Sequence, residues 1–317
     1  MEDRPDLSVI VVTFNGRDMA LATLRSAQAA LGGITAEWLV VDNGSSDGTA
    51  DAIERELPHV RVFRHTNRGF AAGTNVALPH ARGRYLLLLN PDVEIERGTF
   101  AALVAELDER PEVGIASVLQ QATTGELLAS IRRFPTPTRG LGEALGAGKV
   151  PFLATLQELD TDFDRYREER SADWLVGAFL IARREAAEQV GPLDEGFFLY
   201  SEEIDWCRRF GQHGWDVRHL PSMTITHHEG DNKQPKMVAQ LGHSRRRFAY
   251  KHFPLPTAVG IHATLALNHL LRLVVLVPAA AIRPRLRRRA RAEASGLKVL
   301  CGGPPPFRAE DRLAAPR

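Results

Sequence analysis

Cysteine is nearly absent from this chain: Cys207 and Cys301 are the only two among 317 residues. That is neither a disulfide framework nor a zinc-ligand spacing, so a reducing compartment is the simpler reading. The N-terminal MEDRPDLSVIVV sets acids ahead of a short apolar run and has no small-residue cleavage site. No signal peptide is read there, and a cytoplasmic protein is expected. A net charge is missing as well, with 40 Lys+Arg against 39 Asp+Glu, and no nucleic-acid partner is expected. The balance is uneven, because Arg283, Arg285, Arg287, Arg288, Arg289 and Arg291 crowd one short segment. An unbroken apolar run is lacking too: Pro256, His262, Asn268, His269, Arg272 and Pro278 interrupt the longest one, 255–282. An arginine near mid-segment is expensive inside a bilayer, so a spanning helix is not expected. Two alternatives stand level. One is a helix lying at the inner-leaflet surface, its arginine cluster drawn to anionic headgroups; the other is a helix packed on the domain with a solvated basic tail.

What is present is an alternation. LSVIVVT (7–13), WLVV (38–41), VRVF (60–63), YLLLL (85–89) and 113–118 read as strands, mostly too continuously apolar to have a wet face. Helical spacing or composition fills 17–30, 47–56, 70–81 and 97–109. The pattern implies an α/β fold with a mostly parallel sheet covered by helices on both sides. Prolines and glycines punctuate 120–172, read as a long variable excursion. A helix is expected from near Ser201, and a strand over 217–226 with a break at Pro221. The expected organisation is one domain over 1–235, with halves of about 1–120 and 121–235. A helical, basic extension follows over 236–300, then a disordered tail over 301–317.

In an open parallel sheet, ligands sit beyond the carboxyl ends of the strands. Here those ends carry Thr13-Phe14-Asn15-Gly16, Asp42-Asn43-Gly44-Ser45-Ser46-Asp47-Gly48 and Asn90-Pro91-Asp92. No G-x-G-x-x-G follows the first strand, which argues against a dinucleotide dehydrogenase. Asp42 is a ligand contact or a turn residue, while Asp47 suits a helix cap. Asn67-Arg68-Gly69-Phe70-Ala71-Ala72-Gly73-Thr74-Asn75 is either a close-approach loop with Arg68 on a phosphate or a glycine-rich turn. Asp92, following buried leucines, is a cation ligand or a strand-ending turn. Glu94 and Glu96 are read as a solvated helix entry. In Ser201-Glu202-Glu203, the serine is a plausible cap, and one glutamate can face inward as a general base. His227 and His228 close a strand on opposite faces, so one can join a metal site.

Taken in order, VIVVTFNG, LVVDNGSSDGT, NRGFAAGTN, LLLLNPDVEI, GAFLIARREAAEQVGPLDEGFFLYSEEIDWCRR and ITHHEG resemble the family 2 glycosyltransferases of the GT-A nucleotide-sugar-binding fold. Within that family they are most similar to the rhamnosyltransferase-like branch, across roughly 7–230. The resemblance implies an inverting enzyme that uses Mg²⁺ or Mn²⁺. It would move a sugar from dTDP-rhamnose or a UDP-sugar to a hydroxyl of a glycan or polyprenyl-linked acceptor, in cell-surface polysaccharide synthesis. It places Thr13, Phe14, Asn15, Asp42 and Asn43 on the donor nucleotide, with Asn67, Arg68, Gly69, Gly73, Asn75 and Asn90 also on the donor side. Asn90-Pro91-Asp92 stands for the family's Asp-x-Asp, with Asn90 in the first acidic position, so the metal rests on Asp92, joined by His227. Glu203 is the implied base, with Glu202 its competitor. Two other classes remain. A sugar nucleotidyltransferase would want a basic glycine-rich loop near the first strand, which is missing. A non-catalytic sugar-nucleotide binder would keep Asp42 and Asp92 while tolerating loss of Glu203.

Overall fold

The computed structural model describes residues 4–228 and 234–308. The chain runs β1 (Leu7–Thr13), α1 (Arg17–Ala29), β2 (Ala36–Asp42), α2 (Thr49–Glu56), β3 (Arg61–Arg64), α3 (Phe70–Ala77) and β4 (Tyr85–Leu89). There follow β5 (Val93–Arg97), α4 (Phe100–Asp108), β6 (Val113–Gln121), β7 (Ile131–Arg132) and α5 (Pro137–Ala144). Next come β8 (Arg170–Ser171), β9 (Trp174–Leu175), β10 (Phe179–Arg183), α6 (Arg184–Val190), α7 (Glu202–Gln212) and β11 (Asp216–His227). Three helices close the described chain: α8 (Pro235–His252), α9 (Leu255–Ile282) and α10 (Arg287–Leu300).

The main sheet has the order β3-β2-β1-β4-β10-β6-β11-β5, with β8 on β11. β1 to β4 are mutually parallel along this order. β10 runs antiparallel between β4 and β6, and β11 lies parallel to β6. The continuous apolar runs are explained by burial on both faces. Val9, Val11, Leu87 and Leu89 pack with Leu24 and Leu103 on one side. Ile10, Val12, Leu86 and Leu88 pack with Ala71, Ile204 and Trp206 on the other. Alternate residues of one strand therefore feed two cores, each buried Val or Leu contributing roughly 1.5–3 kcal/mol.

One local expectation changes. Val93–Arg97 is a strand, and Glu94 and Glu96 belong to it rather than to a helix entry. Val93 is buried while the glutamates between the apolar positions stay partly exposed, the period of an edge strand, and its antiparallel partner is the distant β11. The segment 120–172 holds short elements, among them α5, which packs against α9. The expected irregularity at Pro221 is present as a register shift between His219 and Thr224.

Helix α9 is continuous over 28 residues, with mean hydropathy 1.9 in its most apolar window, and it is long and apolar enough to cross a membrane by length and composition. Pro256 falls in its first turn, where a missing N–H breaks nothing. One side packs on α5, α8 and α10. His269 Nδ1 lies 2.7 Å and Arg272 Nη1 3.3 Å from the buried Glu293 carboxylate of α10. The opposite side leaves Leu255, Val259, Leu270, Val274 and Val277 exposed. Of the expected tail, residues 301–308 are described, and Phe307 stacks on Phe198 with ring centroids 5.1 Å apart. Residues 309–317 lie outside the described residues.

Candidate active site

The register brings the polar strand ends together. Thr13 pairs with Asp42, and Val11 with Leu89, so Asn90–Asp92 leaves β4 beside the last residues of β1. Thr13, Asp42 and Asn43 are all buried. Asp42 Oδ2 accepts from Ser45 N at 3.1 Å, and Asn43 Nδ2 donates to the Gly69 carbonyl at 3.1 Å. Thr13 Oγ1, Asp42 Oδ1 and Asn43 Oδ1 have no hydrogen-bond partner among the described residues. A buried acceptor left unpaired costs about 1–3 kcal/mol, so three at one strand edge point to a ligand that completes them. Asn15 sits at φ 50° and ties the first two loops: its Oδ1 accepts from Ser46 N at 2.8 Å, and its N–H donates to Ser45 Oγ at 2.9 Å. Phe14 beside it is 39% exposed. Asp47 is not the cap of α2, whose N-cap is Gly48; its carboxylate instead joins two loops, accepting from Thr49 N at 3.1 Å and from Arg17 N at 3.2 Å.

The 67–75 segment is held mostly by its own chain. Asn67 Oδ1 accepts from Gly69 N at 3.1 Å. Gly69 has φ +98°, and a Cβ there would fall 2.1 Å from the Phe198 carbonyl oxygen, so its close approach is to the loop before α7. At Gly73 a Cβ would meet Val12 Cγ1 at 2.8 Å. Asn75 has both ends of its amide engaged: Nδ2 donates to the Leu193 carbonyl at 2.9 Å and Oδ1 accepts from Leu193 N at 3.0 Å. Arg68 keeps a half-exposed guanidinium, 3.4 Å from Glu195. Asn90 donates its N–H to the Ala178 carbonyl at 3.0 Å.

Asp92 and His227 come together although 135 positions separate them in sequence. The end of β11 pairs with β5, His227 opposite Val93, and His228 N donates to the Asp92 carbonyl at 2.8 Å. This sets His227 Nε2 3.4 Å from Asp92 Oδ1, while His228, on the other face, lies 3.2 Å from Glu94. No group of three or more His, Cys, Asp or Glu converges on a metal position among the described residues. The last two residues of the ITHHEG match, 229 and 230, lie outside them.

The glutamates follow a strained turn. Tyr200 and Ser201 both have φ 69°, and two consecutive left-handed non-glycine residues cost on the order of 1–3 kcal/mol each. The turn is pinned from both sides: Phe70 N donates to the Phe198 carbonyl at 2.8 Å, and Ser244 Oγ of α8 donates to the Leu199 carbonyl at 2.8 Å. The left-handed Ser201 cannot cap α7, contrary to expectation; its hydroxyl is buried without a partner among the described residues. Both glutamates turn inward, not one. Burial and the neighbouring Glu203 charge push the Glu202 carboxyl well above the glutamate range. Burial also raises Glu203, but the positive charges of Arg245 and Arg132 oppose the shift. The arginine charges thus favour the ionised form of Glu203, while burial and the Glu203 charge both disfavour that of Glu202. Glu203 packs over Gly177, next to Ala178, whose carbonyl holds Asn90.

Asp205 takes no part in this. Burial alone would raise its carboxyl, but hydrogen bonds with His252 and Lys251 and the Arg209 charge outweigh it, bringing the pKa down to about 2. It locks α7 to α8. Sequence reasoning passed over Arg132, Trp174 and Arg245. Arg245 sits in the basic run SRRR, which reads as a solvated helix face, yet this one arginine per turn points into the protein and pairs with buried Glu158.

A mostly parallel sheet with helices on both faces and polar strand ends at one edge is the GT-A glycosyltransferase fold. A mannosyltransferase from Pyrobaculum calidifontis, solved in complex with GDP-Man and Mn²⁺, superposes with TM-score 0.58 at 18% identity over 94% of this chain and 88% of that one. Residues 8–191, more than half the chain, match the family model for glycosyl transferase family 2, and the chain belongs to that family. A curated relative is the N-acetylglucosaminyl-diphospho-decaprenol L-rhamnosyltransferase of Mycobacterium tuberculosis, 30% identical over 209 residues. That match takes in 60% of this chain and 66% of the relative, just under two thirds of its length. The rhamnosyltransferase WbbL of Escherichia coli is 22% identical over 191 residues, 57% of this chain and 69% of its own.

Proposed function

We propose that the chain is an inverting, divalent-metal-assisted glycosyltransferase that moves a sugar from a nucleoside-diphosphate sugar to a hydroxyl of a lipid-linked glycan. The observation that carries this reading is the meeting, at one edge of the sheet, of the unpaired acceptors at Thr13, Asp42 and Asn43, the Asp92–His227 pair and the buried Glu203. The exposed Phe14 ring and the Asp42 and Asn43 acceptors suit a base and ribose, with Thr13 and the Asn15-tied loops around them. Arg68 and Asn90 are set for the diphosphate side, while Asn67, Gly69, Gly73 and Asn75 hold the loop that presents them.

Asp92 and His227 fit a divalent cation. Asp92 Oδ1 and His227 Nδ1 have no hydrogen-bond partner among the described residues, and Mg²⁺ is commonly held by one or two protein ligands with substrate phosphates completing the shell. Bound there, Mg²⁺ or Mn²⁺ supplies neutralisation of charge on the departing diphosphate. Glu203, whose ionised form the charges of Arg132 and Arg245 favour, accepts the proton of the acceptor hydroxyl. The hydroxyl oxygen bonds to the anomeric carbon from the face opposite the diphosphate. The bond from that carbon to the diphosphate oxygen breaks, its electron pair leaves with the nucleoside diphosphate, and configuration inverts.

The names of the relatives support transfer of rhamnose to a diphospho-polyprenol-linked acceptor, and dTDP-rhamnose or a UDP-sugar is the proposed donor. The apolar outer face of α9 and the exposed arginines from Arg283 onward support seating at the anionic inner leaflet, with residues 1–235 as the transferase unit and 236–300 as its membrane-facing extension. The deciding experiment incubates the protein with a panel of nucleotide sugars and reads nucleoside diphosphate release with and without EDTA. One donor should turn over, in a metal-dependent way. Turnover of none, or equal turnover by Glu203→Gln, overturns the reading.

A further inference from the structure

Arg132 and Arg245 both lie over the Trp174 ring, their guanidinium carbons 5.5 and 5.6 Å from its centroid. Arg245 has its counter-charge in Glu158. Arg132 has none: its Nε donates to the Ala129 carbonyl at 2.6 Å, and no carboxylate lies within ion-pair distance of it among the described residues. Glu143 accepts from Glu158 N at 3.0 Å and makes no ion pair with Arg132 among the described residues. A half-buried guanidinium without a paired anion is costly, and its planar fork matches phosphate oxygens. The positive charge of both arginines also acts on Glu203.

Arg245 and Glu143 lead onward. They line a cavity of about 440 Å³ between α8, α9 and α10, whose wall combines Leu159, Val238, Leu241 and Leu265 with the charged Arg272, Arg289 and Glu293. An adjoining opening shares Glu143, Asn268, Arg272 and Arg289 with the first and is walled on α9 by Leu271, Val275 and Leu276. Val275 at this opening is 69% exposed. A passage with apolar side chains and a charged rim therefore runs from Arg245 to the surface of α9.

We infer that Arg132 and Arg245 grip the diphosphate of a polyprenyl-diphosphate acceptor beside Glu203, and that the cavity between α8, α9 and α10 takes the first isoprenoid units of its chain. This rests on the transferase reading and gives the acceptor its place. Charge-assisted, forked contacts hold the diphosphate, and the lipid is led sideways to the bilayer rather than out through the donor edge.

The test measures binding on the full chain, apart from turnover. The protein is saturated with UDP and dTDP to fill the donor edge. It is then titrated calorimetrically with farnesyl diphosphate, inorganic pyrophosphate and phosphatidylglycerol vesicles. Farnesyl diphosphate should bind at least tenfold more tightly than pyrophosphate. Arg132→Gln should weaken both diphosphates at least tenfold, Arg132→Lys should recover part of the loss, and vesicle binding should change in neither. Val238→Trp, which fills the cavity, should weaken farnesyl diphosphate at least fivefold and leave pyrophosphate within twofold. Unchanged diphosphate binding in Arg132→Gln, or equal weakening of both diphosphates by Val238→Trp, overturns the inference. So does a loss in Arg132→Gln confined to the vesicles, which would make this a headgroup site. If binding behaves as stated while no nucleotide sugar turns over, the transferase reading fails and the diphosphate cradle stands. If a donor turns over while farnesyl diphosphate does not bind, the cradle alone fails.

Discussion

Replacing Glu203 and Glu202 by glutamine, one at a time, separates two carboxyls that are adjacent in sequence and buried together. Glu203→Gln removes the group of the pair whose ionised form the arginines favour. General-base catalysis contributes typically 10²–10⁴-fold, so kcat should fall by about that factor, or ~3–5 kcal/mol of barrier, at neutral pH, with the gap narrowing as acid protonates the wild-type base. Glutamine at 202 replaces a carboxyl that burial and the Glu203 charge push toward its protonated form with a neutral group of the same shape. Glu202→Gln should therefore keep kcat within about tenfold of wild type at neutral pH. Because burial raises the Glu203 carboxyl, wild-type kcat/KM should decline with falling pH before an exposed glutamate, of ordinary pKa ~4.3, would protonate. Stability carries the opposite sign. Carboxyls whose folded pKa is raised favour the folded state at low pH and cease to as pH rises through the raised value. Glu202→Gln should thus melt higher than wild type at pH 8, with the gap closing toward acid. Steady-state rates across pH, with Tm measured alongside, decide the matter. Full activity in Glu203→Gln together with a collapse in Glu202→Gln would reverse the assignment, and full activity in both would remove the pair from the chemistry.

Asp205→Asn should lower stability by ~2–3 kcal/mol at pH 7, the worth of a carboxyl held at about 2 against 3.8, read from urea midpoints. Because its folded pKa is depressed, the difference from wild type should be constant above pH ~5 and shrink as pH falls toward 2. Chelation with EDTA should abolish transfer and Mn²⁺ restore it, while His227→Ala should raise the Mn²⁺ concentration for half-maximal rate about tenfold. Unchanged metal demand in that variant would take His227 out of the site. Val274→Ser with Val277→Ser, on the exposed face of α9, should cut binding to anionic liposomes roughly 100-fold at ~1.5 kcal/mol per valine, read by co-sedimentation. Surface substitutions suit this question better than removal of 283–317, because α10 packs on α8 and α9 and carries Glu293.

The polar edge of the sheet was legible because the strands feeding it are buried on both faces. Continuous Val, Ile and Leu end abruptly at Thr13, Asp42 and Leu89, and the polar residues after them have nowhere to go but the rim. The edge strand Val93–Arg97 was not legible. Its alternating glutamates look like a helix entry until the far-off β11 is paired with it. The same distance hid what Asn75 does, since its partner Leu193 lies 118 residues on. Ser201 looked like a cap by residue type, but caps need extended backbone, and the Phe198–Ser201 loop is pinned into a left-handed turn by α3 and α8. Arg132 and Arg245 escaped notice for a different reason. Charged residues in basic runs are solvated by default, and only packing shows which face inward, Arg245 on the helix α8 and Arg132 on the strand β7.

The stitching between 69–75 and 191–198 bears on anyone who would recombine this enzyme with a relative. Gly69 lies against Phe198, Phe70 is hydrogen-bonded to it, and Asn75 grips Leu193. A hybrid joined near residue 120 would take one half of this fastening from each parent, and the helix carrying Glu203 would inherit a mismatched latch. The transplantable unit is the first strand through α7 together, so exchange of acceptor preference is better sought by replacing α5 and the three C-terminal helices around an intact latch.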